Sequence, residues 1–177
     1  MKTAGKIFAG FLVILASTIN TTYGTVLDDY VLEPDSSFAY SQYGNTTSDL
    51  FTNVYILQLT SQAWRDGSEV SPVLWTHWVT VIVPTTQSDY LLGATKSTAM
   101  ILINGGNVTD SAPTIDSQYR DLATGTRSVI VILSGVPNQP LQFSDETFSR
   151  SEDEIIAYSW DKFLNGGDSY WPVQLPM

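Results

Sequence analysis

The sequence predicts an α/β fold in which an antiparallel start gives way to parallel βα units. Three observations carry this. Two long segments rich in β-branched and aromatic residues flank a turn. Two later segments, Thr98 to Ile103 and Ser128 to Pro137, are apolar on both faces, as strands of a parallel region are. Segments of helical period follow them, so strands and helices alternate along the second half of the chain.

Taken in order, the first 24 residues have the layout of a secretory signal. Lys2 and Lys6 precede the apolar run Ile7 to Ala16, and no acid occurs before Asp28. Cleavage after Gly24 fits, with Thr22 two residues before it; a site nearer Ala16 is the alternative. An N-terminal membrane anchor is the other reading, although the apolar run is short for a bilayer. Residues 25–177 form the remaining domain. Thr25 to Asp49 is rich in turn residues and reads as an irregular lead-in.

Asn53 to Trp64 is the first strand and Val73 to Pro84 the second. Pro84 ends the second because proline has no N–H for the ladder. Arg65-Asp66-Gly67-Ser68 is turn chemistry, so the two strands are expected to be antiparallel neighbours. The third strand, Thr98 to Ile103, is expected to be buried. It runs into Asn104-Gly105-Gly106-Asn107. Beyond that loop, Ile115, Tyr119, Leu122 and Ala123 have helical spacing, with Gly125 as the stop. The fourth strand follows at Ser128 to Pro137. The last element is a helix in "SEDEIIAYSWDKFLNGG". A capping box of Ser151 and Glu154 would open it, and Glu152 and Asp153 suit the positive end of its dipole. Ile156, Trp160, Phe163 and Leu164 would form its apolar face, and Asn165-Gly166-Gly167 would close it.

Composition limits the function. The chain carries eight basic and 18 acidic residues, a net charge of −10. Without Lys2 and Lys6, six bases remain against those 18 acids. Such a surface repels nucleic acid and anionic lipid, so neither is expected as a partner, and the part after the signal has no membrane span. No cysteine is present, which removes disulfides and leaves stability to a packed core. In a eukaryotic host, the sequons Asn45-Thr46-Thr47 and Asn107-Val108-Thr109 make Asn45 and Asn107 glycosylation candidates. A third sequon, Asn20-Thr21-Thr22, falls in the signal.

The chemistry-bearing residues are few. His77 is the single histidine. It shares a strand face with Trp75, Val79 and Val81 and reads as a packed core residue. No metal site is expected around one histidine without cysteine support, and no cofactor motif occurs: neither GxxxxGK[ST] nor GxGxxG is present. Glu152, Asp153 and Glu154 point in different directions on a helix and do not pair as acid and base. No GxSxG elbow occurs, and Ser134-Gly135 lacks the flanking glycine and following helix. The catalytic residues are therefore none in this chain. Gly105, Gly106 and Asn107 admit three uses. A tight bend comes first. Oxyanion binding comes second, because the loop after this strand supplies a backbone N–H to the oxyanion hole in α/β-hydrolases. Phosphate comes third.

Several stretches occur in an order that resembles one family. They are "LDDYV" (Leu27 to Val31), "LTSQAW" (Leu59 to Trp64), "WTHW" (Trp75 to Trp78) and "NGGN" (Asn104 to Asn107). "VPNQPLQF" (Val136 to Phe143), "SEDEIIAYSWDKFL" (Ser151 to Leu164) and the terminal "LPM" (Leu175 to Met177) follow. Together they look like the PhoPQ-activated pathogenicity-related family, which also includes a secreted autocrine proliferation repressor. The resemblance covers essentially all of residues 25–177. It implies an α/β-hydrolase-like fold of which this chain is the N-terminal half, truncated before the nucleophile elbow. It implies a secreted, extracellular protein that signals to or binds an unknown protein partner or receptor. The alternative it implies is the N-terminal fragment of a secreted serine hydrolase, peptidase- or esterase-like, with its triad downstream. In either case the third strand, lacking a fifth beside it, would be an open apolar edge prone to oligomerisation.

Overall fold

The computed structural model describes residues 24–177. The expected signal and the Asn20 sequon lie outside the described residues. The chain folds as α1 (Val26–Leu32), β1 (Ala39–Gln42), β2 (Thr47–Ser48), β3 (Thr52–Ala63), β4 (Val70–Ser71) and β5 (Leu74–Pro84). These are followed by α2 (Thr86–Leu92), β6 (Ala99–Asn104), α3 (Ser117–Thr126), β7 (Val129–Ser134), β8 (Leu141–Phe143), β9 (Ser149–Arg150) and α4 (Asp153–Gly166).

The main sheet has the order β1-β3-β5-β7-β6, with β2 also paired to β3. Every pairing is antiparallel except β6 with β7, which is parallel. The α/β class and the change from antiparallel to parallel are as the sequence leads one to expect. The turn after β3 is also as read: Asp66 Oδ1 accepts from Ser68 N at 2.7 Å. A small second sheet, β4-β8-β9, carries no signal in the sequence because its strands have only two or three residues.

Two cores lie on opposite faces of β5. Trp75 and Ile82 are seven residues apart, and side chains alternate along a strand. Ile82 packs with Val54, Ile130, Ile132 and Ala123 of α3. Trp75 packs with Trp64, Phe143, Ile155 of α4 and Trp171. Within this second core the Trp64 ring meets Trp75 edge to face at 5.8 Å and Trp171 at 6.2 Å. Such contacts add about 0.5–1.5 kcal/mol each beyond area burial.

Several expectations are corrected. The lead-in is not irregular. Thr25 and Asp28 form a reciprocal capping box that opens α1, and β1 and β2 extend the sheet edge. Helix α2 was not anticipated; Thr85 caps it through Ser88 N. Gly125 lies inside α3. The helix stops at Arg127, whose left-handed backbone (φ 54°) turns its N–H back to the Ala123 and Thr124 carbonyls. The fourth strand ends at Ser134, where Gly135 takes φ +87°.

The Ser151–Glu154 box does not form. Glu152 holds the cap position with φ 49°, and its N–H donates to Oε1 of the buried Gln139 at 2.8 Å. With the cap one residue later than the box requires, Glu154 stands at the second helical position and not the third, where it cannot reach back as a box demands. The buried face of α4 also differs from the expected one: Ile155 and Ser159 are buried while Trp160 and Leu164 are exposed. Ser159 Oγ accepts from Val173 N at 3.2 Å, so a small residue lets the C-terminal segment approach.

The third strand is not buried. On β6, Leu102 packs toward the α3 core, but Ile101 is 64% and Ile103 63% exposed. Burial of a parallel strand requires cover on both faces. Among the described residues α3 covers one face only, and the outer edge of β6 has no strand beside it.

Candidate functional site

The loop after β6 lies at the carboxyl ends of the parallel pair, where ligands bind in open α/β sheets. It borders a cleft of about 300 Å³ lined by Trp78, Asn104, Gly105, Asn107, Asp110 and Ser134, among others. The loop is tied down by backbone bonds. Gly135 N donates to Gly105 O at 3.0 Å, Val136 N to Asn104 O at 3.2 Å and Val108 N to Gln139 O at 2.7 Å. Trp78 Nε1 donates to Asp110 O at 2.9 Å.

The two glycines play different parts. Gly106 has φ +136°, and a Cβ there would lie 3.0 Å from Asp110 Oδ2 and 3.4 Å from Gly135 N. Only glycine fits that bend without strain. Gly105 faces open space. Asn107 N donates to Asp110 Oδ2 at 2.8 Å, so the loop's own carboxylate occupies one of the donors considered for an oxyanion. A carboxylate at this mouth also opposes an anionic ligand.

His77 is buried as expected, with partners that the sequence does not announce. Its Nδ1 lies 3.0 Å from Gly135 O, and its Nε2 lies 2.9 Å from Ser61 Oγ. A carbonyl only accepts, so Nδ1 carries the proton and Nε2 accepts from the serine hydroxyl. Burial pushes the imidazole below its ordinary value, partly offset by the Gly135 carbonyl. Ser61 is the extra residue where the β3–β5 register shifts between Thr60 and Gln62. Bulges re-aim side chains, which brings a serine 16 residues away in sequence onto the histidine.

A serine on a neutral imidazole makes two thirds of a hydrolase-type constellation. The third group here is a backbone carbonyl and not a carboxylate. His77 also lines the cleft beside Gly105, Ser134 and Gly135, but both of its ring nitrogens are taken, one by Ser61 and the other by the Gly135 carbonyl. The structure therefore joins Gly105 and His77 through Gly135, and the histidine's serine partner is Ser61 and not a serine of the cleft lining such as Ser134. Asn45 and Asn107 are both exposed. The Asn107–Asp110 contact has a signal in hindsight, an Asn and an Asp three residues apart after a glycine pair. The Ser61–His77 contact has none, because a bulge is invisible to a two-residue period. No three metal-ligating residues gather among the described residues, and among them no helix is long and apolar enough to cross a membrane.

The protein is thus an α/β chain with a glycine loop at the end of its parallel pair and a buried histidine behind it. Residues 27–177 match the model of the PhoPQ-activated pathogenicity-related protein family, and the chain belongs to that family. It is similar to the autocrine proliferation repressor protein A of Dictyostelium discoideum, at 35% identity over 169 residues. That match covers 94% of this chain but 32% of the relative, so the chain spans about a third of the relative's length. No solved structure matches the chain.

Proposed function

We propose that this chain is the N-terminal part of a secreted protein that represses proliferation by binding a protein partner or receptor, without catalysis by its own residues. The observation that carries this is the 35% identity to the proliferation repressor across nearly the whole chain. Two local features support it. Asp110 takes the Asn107 N–H, and the Ser61–His77 pair is completed by a carbonyl in place of an acid. The basic-then-apolar first 24 residues support export, and the excess of acids supports a protein partner over nucleic acid. The test is addition of the purified protein to growing cells of its source. A dose-dependent fall in cell number is expected; no growth effect and no cell-surface binding at any dose rejects the reading.

A second reading has an observation of its own. In the α/β-hydrolase order the third strand lies between the fourth and a fifth. Here β6 lies beside β7, with no strand on its other edge among the described residues, and the glycine loop follows β6, where such enzymes place an oxyanion donor. On this reading the chain is the first half of a serine hydrolase whose nucleophile, acid and base lie downstream. The transcript read past Met177 tests it: a serine elbow, an acid and a histidine in that order are expected, and their absence overturns it.

A further inference from the structure

We propose that Asn45 carries an N-linked glycan whose first sugar stacks on the ring of Tyr43. The inference rests on the secretion reading above, and goes beyond it by choosing between two sequons and naming what the sugar meets.

The sheet edge is interrupted at Asn45. β1 pairs with β3 as far as Gln42 opposite Leu57, and Tyr43 N still reaches Ile56 O at 2.8 Å. β2 resumes with Thr47 opposite Val54. Residues 44–46 therefore stand against Tyr55 alone, and the surplus backbone is pushed out from the edge. Gly44 takes φ +65° to make the excursion. Gln42 Nε2 braces it through Gly44 O and Thr46 Oγ1, each at 3.3 Å. Asn45 thus sits in solvent, where a transferase can reach it.

The flanking residues complete the site. Tyr43 stands opposite Ile56 and Thr47 opposite Val54, and Ile56 and Val54 are two residues apart on one strand. Tyr43 and Thr47 consequently project from the same face of the sheet on either side of Asn45. Thr47 supplies the hydroxyl that the sequon requires. Tyr43 is braced edge to face by Trp78 at 5.0 Å and remains 54% exposed. The electron-rich face of an aromatic ring attracts the polarised C–H groups of a sugar. The other sequon lacks this arrangement. Two residues before Asn107 stands Gly105, and the Asn107 loop is bound back through Asp110 and Gln139.

The test is expression of the N107Q chain in a eukaryotic secretory host, behind its own leader and, separately, behind a heterologous cleavable leader replacing residues 1–24. Intact mass and peptide-N-glycosidase treatment read Asn45, which the enzyme converts to aspartate. Behind the heterologous leader a single glycan at Asn45 is expected, abolished by Thr47→Ala. Tyr43→Ala is expected to lower occupancy about two-fold or more, with Tyr43→Phe restoring it. An unmodified Asn45 behind the heterologous leader overturns the proposal, and Tyr43→Ala occupancy equal to the parent overturns the stacking. Modification behind the heterologous leader alone upholds the glycan and overturns the secretion reading.

Discussion

The carbonyl oxygen of Gly135 lies 3.0 Å from Nδ1 of His77. The N–H of the same glycine lies 3.0 Å from Gly105 O, so one residue joins the buried histidine to the glycine loop. Gly135 takes φ +87°, and a Cβ there would meet Thr76 O at 3.8 Å and His77 Nδ1 at 3.9 Å. The constraint is thus the positive φ more than lack of space.

Burial makes His77 harder to protonate in the folded chain than in the unfolded one. The unfolded chain therefore binds the extra proton below its own pKa of about 6.5. Stability from His77 is fully present above that value and declines as pH falls below it toward the lower folded pKa. Denaturant unfolding between about pH 7.5 and 5.5 is expected to show this decline, and the imidazole resonances should titrate below the free value. Titration above it would contradict the buried, neutral tautomer.

Ser61→Ala removes the hydroxyl that donates to Nε2. A stability loss of about 1 kcal/mol is expected, since a hydrogen bond to a buried ring is lost while solvent can reach the half-buried position of Ser61. Reaction of the secreted protein with a fluorophosphonate probe should be unchanged by the substitution. Loss of labelling in this variant would make Ser61 a nucleophile and defeat the non-catalytic reading.

The two loop glycines should respond differently to alanine. Gly106→Ala places a Cβ against Asp110 and Gly135 at a positive φ, and is expected to cost about 1–3 kcal/mol. Gly105→Ala meets nothing within 4 Å and should stay within about 0.5 kcal/mol of the parent. Equal effects in thermal unfolding would show that the bend does not depend on Gly106.

The edge of β6 is expected to drive self-association. Ile101 and Ile103 are exposed and, among the described residues, no strand pairs with this edge, the arrangement that recruits further strands. Sedimentation of the chain should be concentration-dependent, and Ile101→Lys with Ile103→Lys should shift it to monomer. A monomeric parent at all concentrations would refute this.

Arg65 locks the end of the molecule. Its guanidinium reaches Glu69 with two nitrogens and Asp168 with a third, and lies 4.2 Å over the Trp171 ring. Lysine cannot reproduce that fork and stack. Arg65→Lys is expected to destabilise by about 1 kcal/mol or more, read as a fall in Tm.

What the sequence by itself determined is the set of long elements. The runs from Asn53 to Trp64 and from Val73 to Pro84, the apolar strands after them and the two longer helices all stand near where period and turn chemistry place them. Their backbone bonds are local or between neighbours, and length averages out single-residue conflicts. What only the tertiary structure decided is phase, burial and contact. Helix α4 begins at Asp153 after a Glu152 cap held by Gln139, and the tryptophan core takes Ile155 while Trp160 stays outward. A bulge at Ser61 delivered a serine to His77. One uncovered face left Ile101 and Ile103 in solvent although their sequence reads as core. In each case the deciding group is distant along the chain, and local pattern carries no record of which distant group arrives.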